Sequence, residues 1–279
     1  MDSAYVRNFH GQGFAVVRGV FAPDEVAAMA AAFDRVHERG MAYPSSLRDG
    51  NVLFRQGADA NLGRVLRLVQ WPSYFEPALD RVRTDPRMLA LLAPLIGEDI
   101  KQIINQMHWK TPGAAATEFG FHQDIRFRRP RQAYRNPLWS YVQTGIAIDR
   151  HGPANGGMTF LPGSHRKGEL GLGDNGAVMD CAMDESELVR HGMDPSGLAS
   201  LELEPGDVAL WNLYTVHGSH TNRSAMDRRF YINGYVRADD CDRGAWTFRD
   251  GIPCVLGAPV LIHYDDLYRR PEPHFVDAA

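Results

Sequence analysis

Cysteine is scarce in this chain: Cys181, Cys241 and Cys254 are the three among 279 residues. The count is odd and no pair has C-x-x-C spacing, which excludes a disulfide framework and a zinc ribbon and fits reduced thiols. Long apolar runs are missing as well. No stretch approaches about 18 uninterrupted apolar residues, so no membrane-spanning helix is expected. The opening residues, MDSAYVRNFHGQGF, hold no basic segment followed by an apolar one, so no secretory leader is read there. A basic surplus is also lacking, because the formal net charge is −4. That makes nucleic acid a poor partner for the chain as a whole. These absences predict a soluble, cytoplasmic protein. No repeat and no low-complexity linker divides the sequence, so one domain over 1–279 is expected.

Hydrophobic residues make up 44% of the chain, enough for a sizeable core. A short strand is predicted over Phe14–Val17. The run from Pro23 to Gly40 predicts a helix: Pro23, Asp24 and Glu25 suit its first turn, and Val26, Met29, Phe33 and Val36 share one face. Residues 41–75 read as irregular. Tyr74 to Leu95 reads as helix, broken by Pro77, Pro86 and Pro94. After Gly97 the pattern becomes short β-like runs between Gly/Pro turns: Ile103–Lys110, Phe119–Phe127, Trp139–Ile148, Met158–Leu161, Val208–Tyr214 and Phe230–Val236. Many short strands with such turns predict a sandwich or barrel with helices on one face.

Two segments carry chemistry. In Phe121-His122-Gln123-Asp124, residues two apart on a strand point to one face, with backbones about 6–7 Å apart. An imidazole and a carboxylate could then converge on one metal. Two histidines and one carboxylate would form a facial triad with open positions, which suits iron(II). The second segment runs from Trp211 through His217-Gly-Ser219 to Arg228-Arg229. A hairpin centred near Asn222 and Arg223 would set His217 directly opposite Arg228. A metal beside a guanidinium suits a small dicarboxylate, because Arg grips a carboxylate bidentately.

The run H-G-S-x-x-N-x-S-x-x-x-R from His217 to Arg228 resembles the distal signature of the phytanoyl-CoA dioxygenase family. So do F-H-Q-D at 121–124, the stretch from Asp149 through Asn155-Gly156 to Leu161-Pro162-Gly163-Ser164-His165, and the opening from Gly13 to Phe21. The likeness spans about residues 10 to 237. It implies a mainly β protein with flanking helices and a double-stranded β-helix (jelly-roll, cupin-like) core. It also implies iron(II), 2-oxoglutarate as cosubstrate, and O2. It assigns His122, Asp124 and His217 to iron and Arg228, with Ser219, to the far carboxylate of 2-oxoglutarate. Gln143 and Asn105 fall in segments that often contact the cosubstrate. Halogenating relatives carry a small residue where Asp124 stands, so hydroxylation is expected over halogenation.

The remaining histidines read as structural or surface residues: His165 as a turn residue, His220 off the face of His217, and His108 as pocket or core. Arginines 126, 128, 129, 131 and 135 crowd the segment after Asp124. They form either a solvated loop or a pocket wall for an anion. If the strand continues, Arg126 shares the parity of His122 and becomes the substrate's grip, with Gln123 and Trp139 beside it. Residues 41–75 and 166–200 are the candidate covers. The expected activity is hydroxylation of an unactivated carbon in a small anionic metabolite. The alternatives are a redox-inert cupin-like isomerase, hydrolase or sensor, and desaturation or cyclisation by the same oxygenase class.

Overall fold

Fifteen short strands and six helices organise residues 4–172, 178–179, 181–257 and 273–276, which the computed structural model describes. The strands are β1 Phe14–Val17, β2 Leu47–Asp49, β3 Val52–Asp59, β4 Gly63–Gln70, β5 Ile100–Lys110, β6 Phe119–His122, β7 Tyr141–Ala147 and β8 Met158–Phe160. They continue with β9 Ala199–Ser200, β10 Val208–Trp211, β11 His217–Ser219, β12 Arg228–Arg237, β13 Ala245–Arg249, β14 Ile252–Pro253 and β15 His274–Phe275. Eleven of them form one antiparallel sheet in the order β1-β10-β7-β12-β5-β4-β3-β2-β15, with β13 paired to β5 and β14 paired to β13. The other sheet has four strands in the order β6-β11-β8-β9. A cavity lined from both sheets lies between them.

The helices are α1 Ala4–Gln12, α2 Pro23–Ala42, α3 Pro77–Arg83, α4 Pro86–Ile96, α5 Pro137–Ser140 and α6 Glu185–Arg190. Helices α2 and α4 pack on the large sheet, and Leu188 of α6 packs with Phe121 of the small sheet. The predicted face of α2 is the buried one, and Glu25 accepts a hydrogen bond from the Ala22 backbone N–H at its start, 2.8 Å. None among the described residues is long and apolar enough to cross a membrane.

Two of the three prolines between 74 and 95 begin helices instead of breaking one. Pro77 and Pro86 occupy first-turn positions, where the missing N–H costs nothing. Pro94 does sit inside α4 and leaves the carbonyl of Ala90 without its helical donor. The Tyr5 hydroxyl of α1 donates to that carbonyl at 3.4 Å and to Leu91 at 3.0 Å.

Residues 41–75, expected to be irregular, hold β2, β3 and β4. Their polar, half-exposed faces hid the alternation. The hairpin arm expected to lead into His217 is two strands. β10 ends at Trp211 in the large sheet, residues 212–216 turn, and β11 begins at His217 in the small sheet. The chain then crosses back to enter the large sheet at Arg228.

Gly145 of β7 leaves room for the ring of Phe230, a fully buried residue of β12. A Cβ there would sit 2.1 Å from Phe230 Cζ. Gly145→Ala is therefore expected to destabilise the fold by about 1–3 kcal/mol, seen as a lower urea midpoint with an unchanged slope.

Candidate metal centre

β6 and β11 pair antiparallel with His122 directly opposite His217, and the two imidazole centroids lie 4.2 Å apart. Each ring is fixed in the same way. His122 Nδ1 lies 2.8 Å from the Gly120 carbonyl and His217 Nδ1 lies 2.9 Å from that of Thr215. With Nδ1–H donating to a carbonyl, each Nε2 presents its lone pair to the cavity. Burial, together with the neighbouring His217, draws the His122 imidazole down to about 3, so its ring is neutral at ordinary pH.

Strand β6 stops at His122. Gln123 is still extended, at φ −119 and ψ 132, and Asp124 opens a 3-10 turn that runs to Phe127. That one extended residue is enough to bring Asp124 alongside. Its Oδ1 lies 3.8 Å from His122 Nε2 and its Oδ2 lies 3.8 Å from His217 Nε2. The three ligand atoms fall within 4.8 Å of one another. Burial pushes the Asp124 carboxyl up, yet His217, His122, Arg128 and a hydrogen bond from Trp211 bring it below its ordinary value. Two nitrogen donors and one hard oxygen on one side of a cavity fit a divalent iron with open positions.

The cavity measures about 330 Å³. Arg228, Ser219 and Gln143, which the sequence linked to the cosubstrate, line it. The route to Arg228 differs from the expected hairpin. His217 pairs with His122 and Phe160, whereas Arg228 pairs with Lys110 of β5. The two face one space from opposite sheets. Arg228 is 3% exposed, and its Nε has no hydrogen-bond partner among the described residues. Asp149 is committed to Arg229, through contacts of 2.9 and 3.0 Å. Burial pulls the Arg228 guanidinium down to about 9, with Asp149 opposing. A buried cation with no acid in contact among the described residues is costly unless an anion joins it.

Four other expected residues lie outside the cavity lining. The Asn105 amide donates to Tyr231 at 2.6 Å and Asn233 at 2.9 Å. Gln123 ties Gly168, Tyr214 and Leu170 together through their backbones. Trp139 is 61% exposed and packs against His10. Arg126 lies over the Phe127 ring instead of in the cavity, because the strand ends and the 3-10 turn changes the parity. Arg128 lines the cavity in its place, together with Arg55 of β3. His108 lines it too, bonded to Gln106 at 3.0 Å, while His165 is anchored to the His10 carbonyl. Of the segment 166–200, Val178 and Met179 line the cavity, and residues 173–177 and 180 lie outside the described residues.

Sequence reading also missed Trp211. Its indole Nε1–H donates to Asp124 Oδ2 at 2.8 Å, across from the large sheet. No local pattern marks it, since Trp211 and Asp124 are 87 residues apart. Trp211→Phe keeps the packing and removes the donor, so iron(II) affinity, read by anaerobic equilibrium dialysis, is expected to fall about 10–100-fold. His217→Ala should abolish stoichiometric binding.

A family model described as phytanoyl-CoA dioxygenase matches residues 9–230. A probable alpha-ketoglutarate-dependent hypophosphite dioxygenase from Stutzerimonas stutzeri is 26% identical over 242 residues, 84% of this chain and 78% of the relative. Among solved structures, EctD from S. alaskensis with 2-oxoglutarate and 5-hydroxyectoine has a TM-score of 0.64 at 18% identity, covering 91% of this chain and 86% of that one. SnoN, a non-heme alpha ketoglutarate dependent epimerase from nogalamycin biosynthesis, has a TM-score of 0.60 at 21% identity, covering 93% and 97%. The structural likenesses carry the fold, a jelly roll with flanking helices. With the family model matching most of its length, the chain belongs to the phytanoyl-CoA dioxygenase family.

Proposed function

We propose that this protein is an iron(II)- and 2-oxoglutarate-dependent dioxygenase that hydroxylates an unactivated carbon of a small metabolite. One observation carries the reading. A buried two-histidine, one-carboxylate cluster and a buried arginine without a counter-ion in contact among the described residues share a single cavity. His122, Asp124 and His217 would hold iron and leave three positions for cosubstrate and oxygen. Arg228 would receive the far carboxylate of 2-oxoglutarate bidentately, with the Ser219 hydroxyl beside it. Gln143 offers a further amide in the same lining.

Iron with 2-oxoglutarate and dioxygen supplies an oxidant for unreactive C–H bonds, releasing succinate and carbon dioxide. The chain's own contribution is position and exclusion of water. His122, Asp124 and His217 are 6, 7 and 4% exposed, so the metal would meet little bulk solvent. Trp211 holds Asp124 in one orientation, and the Gly120 and Thr215 carbonyls hold the two rings. A redox-inert cupin-like protein has no use for Arg228, which counts against that alternative. Desaturation, cyclisation or epimerisation by the same oxidant is the second reading, favoured by the epimerase that shares the fold. Asp124 fills the coordination place a halide would need, which disfavours halogenation.

The test is succinate release by iron-loaded protein after air is admitted to an anaerobic mixture with 2-oxoglutarate. Wild type should turn over slowly without substrate, and His217→Ala should not. Arg228→Ala should raise the 2-oxoglutarate requirement at least about 30-fold, the effect of leaving a buried charged partner unpaired. Arg228→Lys should recover only part of it, because an ammonium lacks the planar fork. Iron-loaded wild type that binds no 2-oxoglutarate would refute the reading.

A further inference from the structure

Gln123 stands between His122 and Asp124 in sequence, yet it does not line the cavity that they face. Its backbone is extended, so its side chain leaves on the opposite side from theirs. It is 2% exposed, and both N–H groups of its amide are used. Nε2 donates to the Gly168 carbonyl at 2.8 Å and to the Tyr214 carbonyl at 2.7 Å, and Oε1 accepts from the Leu170 N–H at 2.8 Å. Two carbonyls and one N–H around a single amide fix which way it is turned. A flipped amide would oppose all three partners.

Each partner leads to a member of the cluster. Tyr214 lies in the turn before β11, and the next carbonyl along, that of Thr215, holds His217 Nδ1. One amide therefore joins the segment that carries His122 and Asp124 to the turn that orients His217. Gly168 and Leu170 follow the 3-10 turn Ser164–Lys167. Leu170 and Leu172 pack with Phe121 and Val216, the residues immediately before the two cluster histidines. Farther along, the Val178 carbonyl accepts from the Gly120 N–H at 3.0 Å, and the Gly120 carbonyl holds His122 Nδ1. Glu169 adds a tie at the surface, to Arg131 and, at 3.7 Å, to Arg129. Exposed ion pairs of that kind contribute little, so the buried amide and the apolar contacts carry the connection.

We infer that Gln123 is a positioning residue that couples the His122, Asp124 and His217 cluster to the docking of residues 168–172. The inference rests on the iron reading above, and it replaces the expected role of Gln123 at the substrate. With 168–172 docked, the amide holds β6 and the turn before β11 in one register, and the three side chains converge. With the segment undocked, the amide loses two of its three partners, and the cluster loses its alignment. Coupling of this kind is reciprocal: a metal that needs the aligned cluster must in turn hold the segment in place.

The test is anaerobic hydrogen–deuterium exchange of the whole protein with and without iron(II), alongside equilibrium dialysis of the metal. In wild type, iron(II) should slow exchange of the 168–172 amides by about 5–150-fold, the ordinary range of coupling between two sites. Gln123→Leu removes every hydrogen bond. Gln123→Glu keeps the shape and the acceptor but lacks both N–H groups. Each should weaken iron(II) binding by about tenfold and abolish the exchange response at 168–172, with the amides of β5 and β12 as protected as in wild type. Glu169→Gln, which removes only the surface tie, should leave both readouts near their wild-type values. If Gln123→Leu shows no unfolding transition, Gln123→Glu and the wild-type exchange response carry the test. Iron(II) binding to wild type without a change at 168–172 would overturn the coupling. So would Gln123 variants that bind iron(II) as tightly as wild type, or that lose protection in β5 and β12 as well, which would make Gln123 a general stabiliser. Wild type that binds no iron(II) at all removes the underlying reading, and the inference with it.

Discussion

Where β6 meets β11, two imidazoles stand opposite each other 4.2 Å apart in a buried wall. Two charged rings at that distance would repel strongly in a medium that screens little. Burial and proximity keep His122 neutral, so its lone pair turns to the cavity and calls for a positive centre. The rest of the site answers this pair. Each ring leans on the carbonyl two residues before it, the same local device on both strands. Asp124 would supply the negative ligand, and the 3-10 turn that begins there ends the strand before a further side chain can crowd the cluster.

The second sheet reaches the same point through aromatic rings. Trp211 holds Asp124 by its indole N–H, and its ring lies 8° from parallel to Phe230 with centroids 6.5 Å apart. Arg228 lies over the other part of that contact, 5.7 Å from the Phe230 centroid, and His151 packs against Phe230 at 4.5 Å. A continuous line therefore runs from metal ligand to indole to phenyl to guanidinium. Dense packing of this kind transmits small displacements. Gly145 belongs to the line because only its missing Cβ lets Phe230 seat.

Much of this was readable from residue types. The face of α2, β1 as read, the positions of most later strands and the three converging ligands follow from periodicity, turn residues and the H-x-D spacing. Three things were not. The strands between 41 and 75 alternate poorly because the β3–β4 ribbon is only half covered. Arg228 was placed near the metal for the wrong geometric reason: a hairpin was assumed where the chain crosses between sheets. Arg126 was preferred to Arg128 because strand parity was carried past the residue where the strand ends. Local rules work within one element. They fail where a segment changes sheet or changes period, and the partner of Asp124 lies 87 residues away.

The crossing between sheets has a consequence for selectivity by length. His217 belongs to the small sheet and Arg228 to the large one, so the interval between them is set by the spacing of the two sheets and not by a hairpin. Facing sheets stand about 10 Å apart, filled by interdigitated side chains, and such a core yields little to compression. On the proposed roles of His217 and Arg228, the interval would work as a fixed gauge. A diacid one methylene shorter or longer than the one it fits cannot be met by a local rotamer change, since accommodating it would mean moving one whole sheet against the other.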